Sequence, residues 1–302
     1  MVAFRSETIR NICIFMTKPT ITGIRRSSIF SPNHIGNDAA IFNCVAGYIK
    51  EQGYPVAIYD EQELLSLSEN PRCVFTMMRE PEAIKRVQQW EREGCRCINP
   101  ASGIENCGRE SMTRLLLAQN IPYPDSVIVH TNEQVKPLLE QRGFTSCWIK
   151  RSDYHALHRE DVTYARNPEE VQYLLSEYAL RGIDKVVINA HLEGDLIKFY
   201  GVEGSLFFYW FYPYEKRHSK FGWEKINGKA KEIPFEYDTL RTICHRSAEA
   251  LNLIIYGGDC IVSPDGTIHI IDFNDWPSFA PCREDAIPYI GETIINELRI
   301  KN

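Results

Sequence analysis

Several things are missing from this sequence, and each absence narrows what it can be. The longest apolar runs, "ICIFM" and "LFFYWFY", fall far short of the roughly 20 residues that a membrane span needs. Residues 1–10 carry no apolar signal core, so a cytoplasmic protein with no membrane partner is expected. Cysteine is present ten times but never as C-x-x-C, which removes the zinc-finger spacings and leaves reduced, mostly buried thiols as the expectation. Positive charge is not in excess. With 34 Lys and Arg against 40 Asp and Glu the net charge is -6, which argues against a general nucleic-acid binder. There is no extended low-complexity run and no internal repeat of about 20 to 50 residues.

What remains is a chain of 302 residues, 44% hydrophobic and 25% charged, the composition of a soluble globular protein with room for two or three subdomains. The first third alternates short apolar runs with amphipathic ones. Strand "NICIFM", a helix from about Asp38 to Gly53, strands "YPVAIY" and "RCVFTMM", a helix from about Glu80 to Glu93, and "CRCIN" together predict a small parallel α/β domain. Ligands of such sheets sit beyond the carboxyl ends of the strands, which singles out "SPNHIGND" and Arg79. The stretch from Thr17 to Asn37 reads as a long functional connection, and Asn37-Asp38 as a helix N-cap.

From Met112 the pattern changes. A helix in "RESMTRLLLAQN" is followed by "IPYPDSVIV", a helix through Gln141, strand "SCWIK", a polar segment, and strand "VTYA". The next helix is well marked, with Asn167 as N-cap, Pro168 at the first helical position and Glu170 three residues after the cap. Strands "KVVINA", "DLIKFYGV" and "LFFYWFY" follow, the aromatic run being a core candidate. Then come a basic segment, a helix near Tyr237 to Leu251, the hairpin "YGGDCIVSPDGTIHIIDFN" and a helix from about Arg283 to Leu298.

The chemistry concentrates on that hairpin. Period-two alternation points Asp272 and Asn274 to one face, and the partner strand carries Asp259. Three oxygen-bearing side chains there suit a hard cation such as magnesium. The register decides whether they meet. A four-residue loop puts Asp259 on the same face as Asp272, whereas a glycine bulge at Gly266 reverses the parity. Asp272 and Asn274 also suit a strand end that hydrogen-bonds a turn. Lys150 ends one strand and Lys198 lies inside another, each a point charge suited to nucleotide phosphates. Between them "INAHLEGD" reads as an extended connector whose free backbone groups and acidic Glu193 can meet an adenine edge and ribose hydroxyls.

This order of parts resembles the ATP-grasp superfamily over about residues 112–290. The fold it implies is α/β and α+β: a small parallel α/β pre-ATP-grasp domain (1–111), a central subdomain with a lid (112–192) and a C-terminal subdomain with the metal site (193–302). The resemblance implies Lys150 and Lys198 on the ATP phosphates, Ile188, Asn189 and His191 in the adenine-binding connector, Glu193 on the ribose, and Asp259, Asp272 and Asn274 on Mg2+, with Mn2+ as a substitute. In this superfamily the acceptor is held largely by the preceding domain and loops, here "SPNHIGND", Arg79, Asn99, Arg109 and the basic segment.

One departure concerns the lid. "KRSDYHALHRED" has no glycine, so Arg151, His155, His158 and Arg159 have to supply by charge and imidazole what glycine-rich lids supply with backbone amides. A histidine five residues after the first lysine, and aspartate at 272, are similar to the inositol polyphosphate kinase branch. Residues 214–232 carry Lys216, Arg217, Lys220, Lys225, Lys229 and Lys231 against three glutamates, a stretch fit for a small anionic acceptor or simply for solvent. The expectation is an ATP- and magnesium-dependent ligase joining a carboxylate to an amine or thiol. Its rivals are a kinase acting on a hydroxyl and a nucleotide-binding module without turnover. A homodimer is left open.

Overall fold

The computed structural model describes residues 18–31, 35–68, 70–152, 161–214 and 226–299. Among them, twelve strands form three four-stranded sheets, and no helix is long and apolar enough to cross a membrane.

The first sheet is parallel. Strands β1 (Ile21–Arg25), β2 (Val56–Asp60), β3 (Cys73–Thr76) and β4 (Arg96–Ile98) run in the order β2-β1-β3-β4. Helices α1 (Ile35–Glu51), α2 (Glu61–Leu64) and α3 (Pro81–Arg92) connect them, and α4 (Ala101–Asn106) and α5 (Arg109–Ala118) lead out. The parallel α/β expectation holds, with one correction. The stretch read as a connection from Thr17 to Asn37 contains β1, an interior strand paired on both sides. Its sequence, ITGIR, hides it because a mid-strand glycine usually argues against a strand. Here the glycine is required: a Cβ on Gly23 would lie 2.5 Å from the Phe75 ring and 2.9 Å from that of Phe42. The strand expected in "NICIFM" lies outside the described residues, as do residues 32–34 of "SPNHIGND". Asn37 and Asp38 are not an N-cap either, since α1 already begins at Ile35.

The second sheet is antiparallel. It comprises β5 (Ser126–His130), β6 (Cys147–Arg151), β7 (Val162–Ala165) and β8 (Lys185–Ala190) in the order β5-β8-β6-β7, with helices α6 (Lys136–Gln141) and α7 (Pro168–Leu180). The cap of α7 is as the sequence predicts: Asn167 Oδ1 accepts from the Glu170 amide at 2.8 Å. One face of the sheet buries Val127, Ile149 and Ile188 against Leu139, Val171, Leu175 and Tyr178.

The third sheet, also antiparallel, comprises β9 (Asp195–Val202), β10 (Phe208–Phe211), β11 (Ile255–Val262) and β12 (Ile268–Asp275) in the order β10-β9-β11-β12. Helix α8 (Tyr237–Leu251) joins α5 over one face. Leu240, Cys244 and Ala248 with Met112 and Leu116 bury Ile197, Phe199, Cys260 and Phe273. The last helix, α9 (Arg283–Arg299), returns to the first sheet, where Ile290, Ile294 and Ile295 share a core with Ile41, Val45 and Ile49 of α1 and with Tyr200, Ile255 and Trp276. Each of these large side chains, fully buried, contributes roughly 1.5–3 kcal/mol. Asn99 fastens the same junction. Its amide donates to the Ile255 carbonyl at 2.7 Å and its Oδ1 accepts from the Ile254 and Ile255 amides, so this residue, expected to meet an acceptor, is occupied with backbone.

Candidate functional site

The hairpin of β11 and β12 resolves the question of register through two irregularities. The turn places Gly266 at φ +83°, with its amide on the Ser263 carbonyl, and Val262 faces Ile268. That pairing alone would set Asp259 opposite Ile271. A bulge between Asp259 and Cys260 restores parity: Cys260 faces Ile270 while Asp259 faces Asp272, leaving Ile271 as the extra residue. The bulge has a second consequence. Lys150 donates from its Nζ to the Ile271 carbonyl at 2.8 Å, which ties the end of β6 to the hairpin.

Across the third sheet, Lys198, Asp259 and Asp272 stand in one row on neighbouring strands. The Lys198 ammonium donates to both oxygens of Asp259, at 2.8 and 3.0 Å. Asp272 receives the Arg109 guanidinium on both oxygens, at 3.0 and 3.3 Å, and its Oδ1 also accepts from the Phe273 amide. Asn274 is two residues along on the same face, opposite Gly257. Burial presses Lys150 down to about 7; Arg109 adds to that shift and Asp272 and Asp259 oppose it. For Arg109 burial acts downward, but the charge and hydrogen bond of Asp272 outweigh it and hold the guanidinium above its ordinary value.

The second sheet separates the remaining candidates by face. Asn189 pairs with Trp148, and Lys150 with Val187, so alternation puts Lys150, Trp148 and Asn189 on one side. The Trp148 indole donates to His191 Nδ1 at 3.1 Å, and burial lowers that imidazole, with Glu193 opposing. Asn189 is buried. Its amide donates to Ser126 Oγ, while its Oδ1 has no partner among the described residues. Ile188 is on the other side, in the core under α7. Arg151 is there too, 3.5 Å from the fully buried Asp161, which Arg181 also engages. The structure therefore does not bring Arg151 or the Ile188 side chain to Lys150.

The connector is shorter than the sequence suggests. The backbones of Ile188 and Asn189 are paired to both β5 and β6, and only residues 191–194 lie outside the strands. Glu193 is exposed there. The Leu192 and Gly194 carbonyls accept from the Asn227 side chain, and Asp195 takes the Lys231 and Ile233 amides, so the described end of the basic segment is fastened against the connector. His155, His158 and Arg159 fall within 153–160, outside the described residues, as do residues 215–225.

Two partnerships escape sequence reading. Arg109, expected among the acceptor contacts, instead engages Asp272, a pairing with no local signal because Arg109 opens an amphipathic helix 163 positions before that partner. The second is a buried ion cluster beside the hairpin end. Arg79 bonds Asp275 at 2.9 Å, and Arg26 meets Asp38 at 3.0 Å, Asp275 at 3.6 Å and the Met77 carbonyl. Burial, with Arg26 adding to it, lowers Arg79, and Asp275 opposes. The arginine expected to meet an acceptor thus already holds a carboxylate.

Among the described residues no three His, Cys, Asp or Glu side chains gather into a metal cage. The hairpin instead offers two carboxylates and a carboxamide on one face. That oxygen-only set fits a hard divalent cation that draws the rest of its shell from water and phosphate.

No family model matches the sequence, and no curated protein does either. Solved structures do match over nearly the whole chain. D-alanyl-alanine synthetase A from Vibrio cholerae O1 biovar eltor is 13% identical with a TM-score of 0.67, covering 94% of this chain and 99% of that one. The ATP-grasp ligase PsnB, complexed with minimal precursor, Mg and ADP, is 14% identical with a TM-score of 0.61, over 92% and 98% of the two chains. The D-cycloserine synthetase DcsG is 12% identical with a TM-score of 0.61, over 91% and 99%. At such identities the likeness speaks for architecture, and the architecture of this chain is the ATP-grasp fold.

Proposed function

We propose that the chain is an ATP-dependent ligase that phosphorylates a carboxylate with ATP and then joins it to an amine or thiol. The observation that carries this reading is the row Lys198, Asp259, Asp272, to which the second sheet delivers Lys150 through the Ile271 carbonyl. The PsnB structure, with Mg and ADP, supports the choice of cofactor.

Lys150 and Lys198 would take the phosphates, each as a point charge. Trp148, Asn189 and His191 would line the base side, and Glu193 would accept from a ribose hydroxyl. Asp259, Asp272 and Asn274 would hold magnesium, whose charge would offset the negative charge that develops on phosphoryl transfer. Lys198 would exchange Asp259 for a phosphate oxygen when nucleotide arrives, freeing that carboxylate for the metal. The acceptor carboxylate would attack the γ-phosphorus in line, forming an acyl–phosphate bond as the bond to ADP breaks. The amine or thiol would then displace phosphate. Its proton leaves with solvent or a base of the acceptor site. The units 1–111, 112–192 and 193–302 would supply acceptor, lid and metal contacts respectively.

An acyl phosphate is a mixed anhydride, so hydroxylamine should intercept it. With ATP, magnesium and a panel of carboxylates, hydroxamate and ADP should appear in equal amounts for at least one member. Stoichiometric ADP and a stable phosphate ester from a polyol or inositol phosphate, with no carboxylate active, would establish the kinase instead.

A further inference from the structure

We infer that Tyr200 is a specificity-determining residue whose phenolic hydroxyl donates a hydrogen bond to the carboxylate of the acceptor. The inference rests on the ligase reading above and adds to it a residue that meets the acceptor.

Among the described residues five tyrosines are buried, and four of them place their hydroxyls on protein partners. Tyr54 accepts from Arg299 at 3.4 Å, Tyr123 meets the Thr113 hydroxyl at 3.3 Å, Tyr178 donates to the Ile149 carbonyl at 3.1 Å, and Tyr256 meets His245 Nδ1 at 3.0 Å. The fifth is Tyr200. It is 7% exposed, and its hydroxyl makes no hydrogen bond among the described residues. Buried polar groups are nearly always hydrogen-bonded, so an exception calls for a cause. Packing does not supply one. The ring stacks on Phe211 at 6.3 Å and 8°, lies 5.1 Å from Phe279, and would have its Cδ1 2.9 Å from a Cβ at Gly257. Phenylalanine would make the same contacts, so the fold has no use for the hydroxyl.

Position in the third sheet points to the partner. Tyr200 lies two residues beyond Lys198 on β9 and faces the same way. It stands opposite Gly257, which in turn faces Asn274, so these three form the row next to Lys198, Asp259 and Asp272. Burial raises the phenol above its ordinary value, Lys198 opposes and Asp259 adds, which puts both charges within electrostatic reach of a hydroxyl that stays a protonated donor. Along the chain, the reading above runs from the ribose at Glu193 to phosphate at Lys198, and Tyr200 comes next. Its ring belongs to the core shared with α1, α9 and the first sheet. In-line attack brings the acceptor to the γ-phosphorus from the side opposite ADP, which along β9 is the Tyr200 side. A hydroxyl fixed by its ring needs little reordering to meet a carboxylate oxygen there.

Tyr200→Phe removes the hydroxyl and keeps the ring. The hydroxylamine assay described above, run on the full chain with the carboxylate that wild type uses best, should show kcat/KM for that carboxylate lowered roughly ten- to a hundredfold, mainly through KM, because a hydrogen bond to a charged group is lost. The melting temperature, KM for ATP, and the affinities for ADP and AMP-PNP measured calorimetrically with magnesium should stay as in wild type. Wild-type kcat/KM in Tyr200→Phe would overturn the inference, since the hydroxyl would then meet solvent only. Loss of AMP-PNP affinity with ADP affinity intact would overturn it too, by placing the hydroxyl on the γ-phosphate. So would a lower melting temperature with equal loss of both nucleotides, which would make the hydroxyl structural. A wild type that retains AMP-PNP but yields hydroxamate from no carboxylate would instead overturn the ligase reading, and this inference with it.

Discussion

Asp272 and Asp275 stand three residues apart on β12, each against an arginine that comes from a distant part of the chain. In sequence they are two acids of "DFND". The Asp272 side chain is 21% exposed and shares its face with Asn274, in a row with Asp259 and Lys198. The Asp275 side chain is 1% exposed, between Arg79 and Arg26, where the hairpin end meets the first sheet. The first keeps a partly exposed carboxylate and is suited to a ligand. The second has been turned inward to join two sheets. The same ion pair serves chemistry or architecture according to what else reaches it.

The largest effect should come from breaking the inward pair. Asp275→Ala leaves two buried guanidiniums facing one another without their shared carboxylate, and it should cost about 3–5 kcal/mol of folding stability. Urea unfolding measures this directly, and a cost near zero would mean that Arg79 and Arg26 find other acceptors. Asp272→Asn should behave differently. It nearly preserves volume and keeps one oxygen for Arg109 but removes the charge that offsets the buried guanidinium, so stability should fall by about 1.5–3 kcal/mol, while magnesium affinity in the presence of ADP falls roughly ten- to a hundredfold.

A smaller effect concerns Lys150, whose folded pKa of about 7 lies below its ordinary 10.5. Between those values the unfolded chain holds a proton that the folded one lacks, so this residue makes stability rise with pH from about 7 to 10.5. Lys150→Met should flatten that rise in melting temperature, and an unchanged slope would remove burial of this lysine as its source. Smallest of all, and far from both acids, Asn167→Ala should cost about 1 kcal/mol through loss of the α7 cap, with no effect on nucleotide binding.

The contrast between the two acids also shows where the sequence was legible. Local signals were read correctly where local physics decides: the Asn-Pro-x-Glu start of α7, the limits of α8, the alternation on β12, and the parallel character of the first third. β1 was lost because its glycine is demanded by Phe42 and Phe75, contacts that only the fold creates. The hairpin turn left the facing of Asp259 undecided, and it is settled by an extra residue at Ile271 that no spacing rule marks. The candidate site was half legible. Lys150, Lys198, Asp259, Asp272 and Asn274 do come together, and His191 and Asn189 lie on the same face as Lys150. The sequence groups Arg151 with the lid cations and Ile188 with the adenine connector, but alternation turns their side chains to the far side of the second sheet. Arg109, Arg26 and Asp275 acquire meaning only through partners that are remote in sequence.

The central claim is that the face carrying Asp272 is a magnesium–nucleotide site while Asp275, three residues on, is not part of it. Calorimetric titration of ADP into wild type, Asp272→Asn and Asp275→Asn, each with and without magnesium, tests that claim most directly. The account predicts that magnesium strengthens ADP binding in wild type and in folded Asp275→Asn, and that Asp272→Asn loses the strengthening while remaining folded. Equal magnesium enhancement in Asp272→Asn and wild type, or its loss in Asp275→Asn alone, would contradict it.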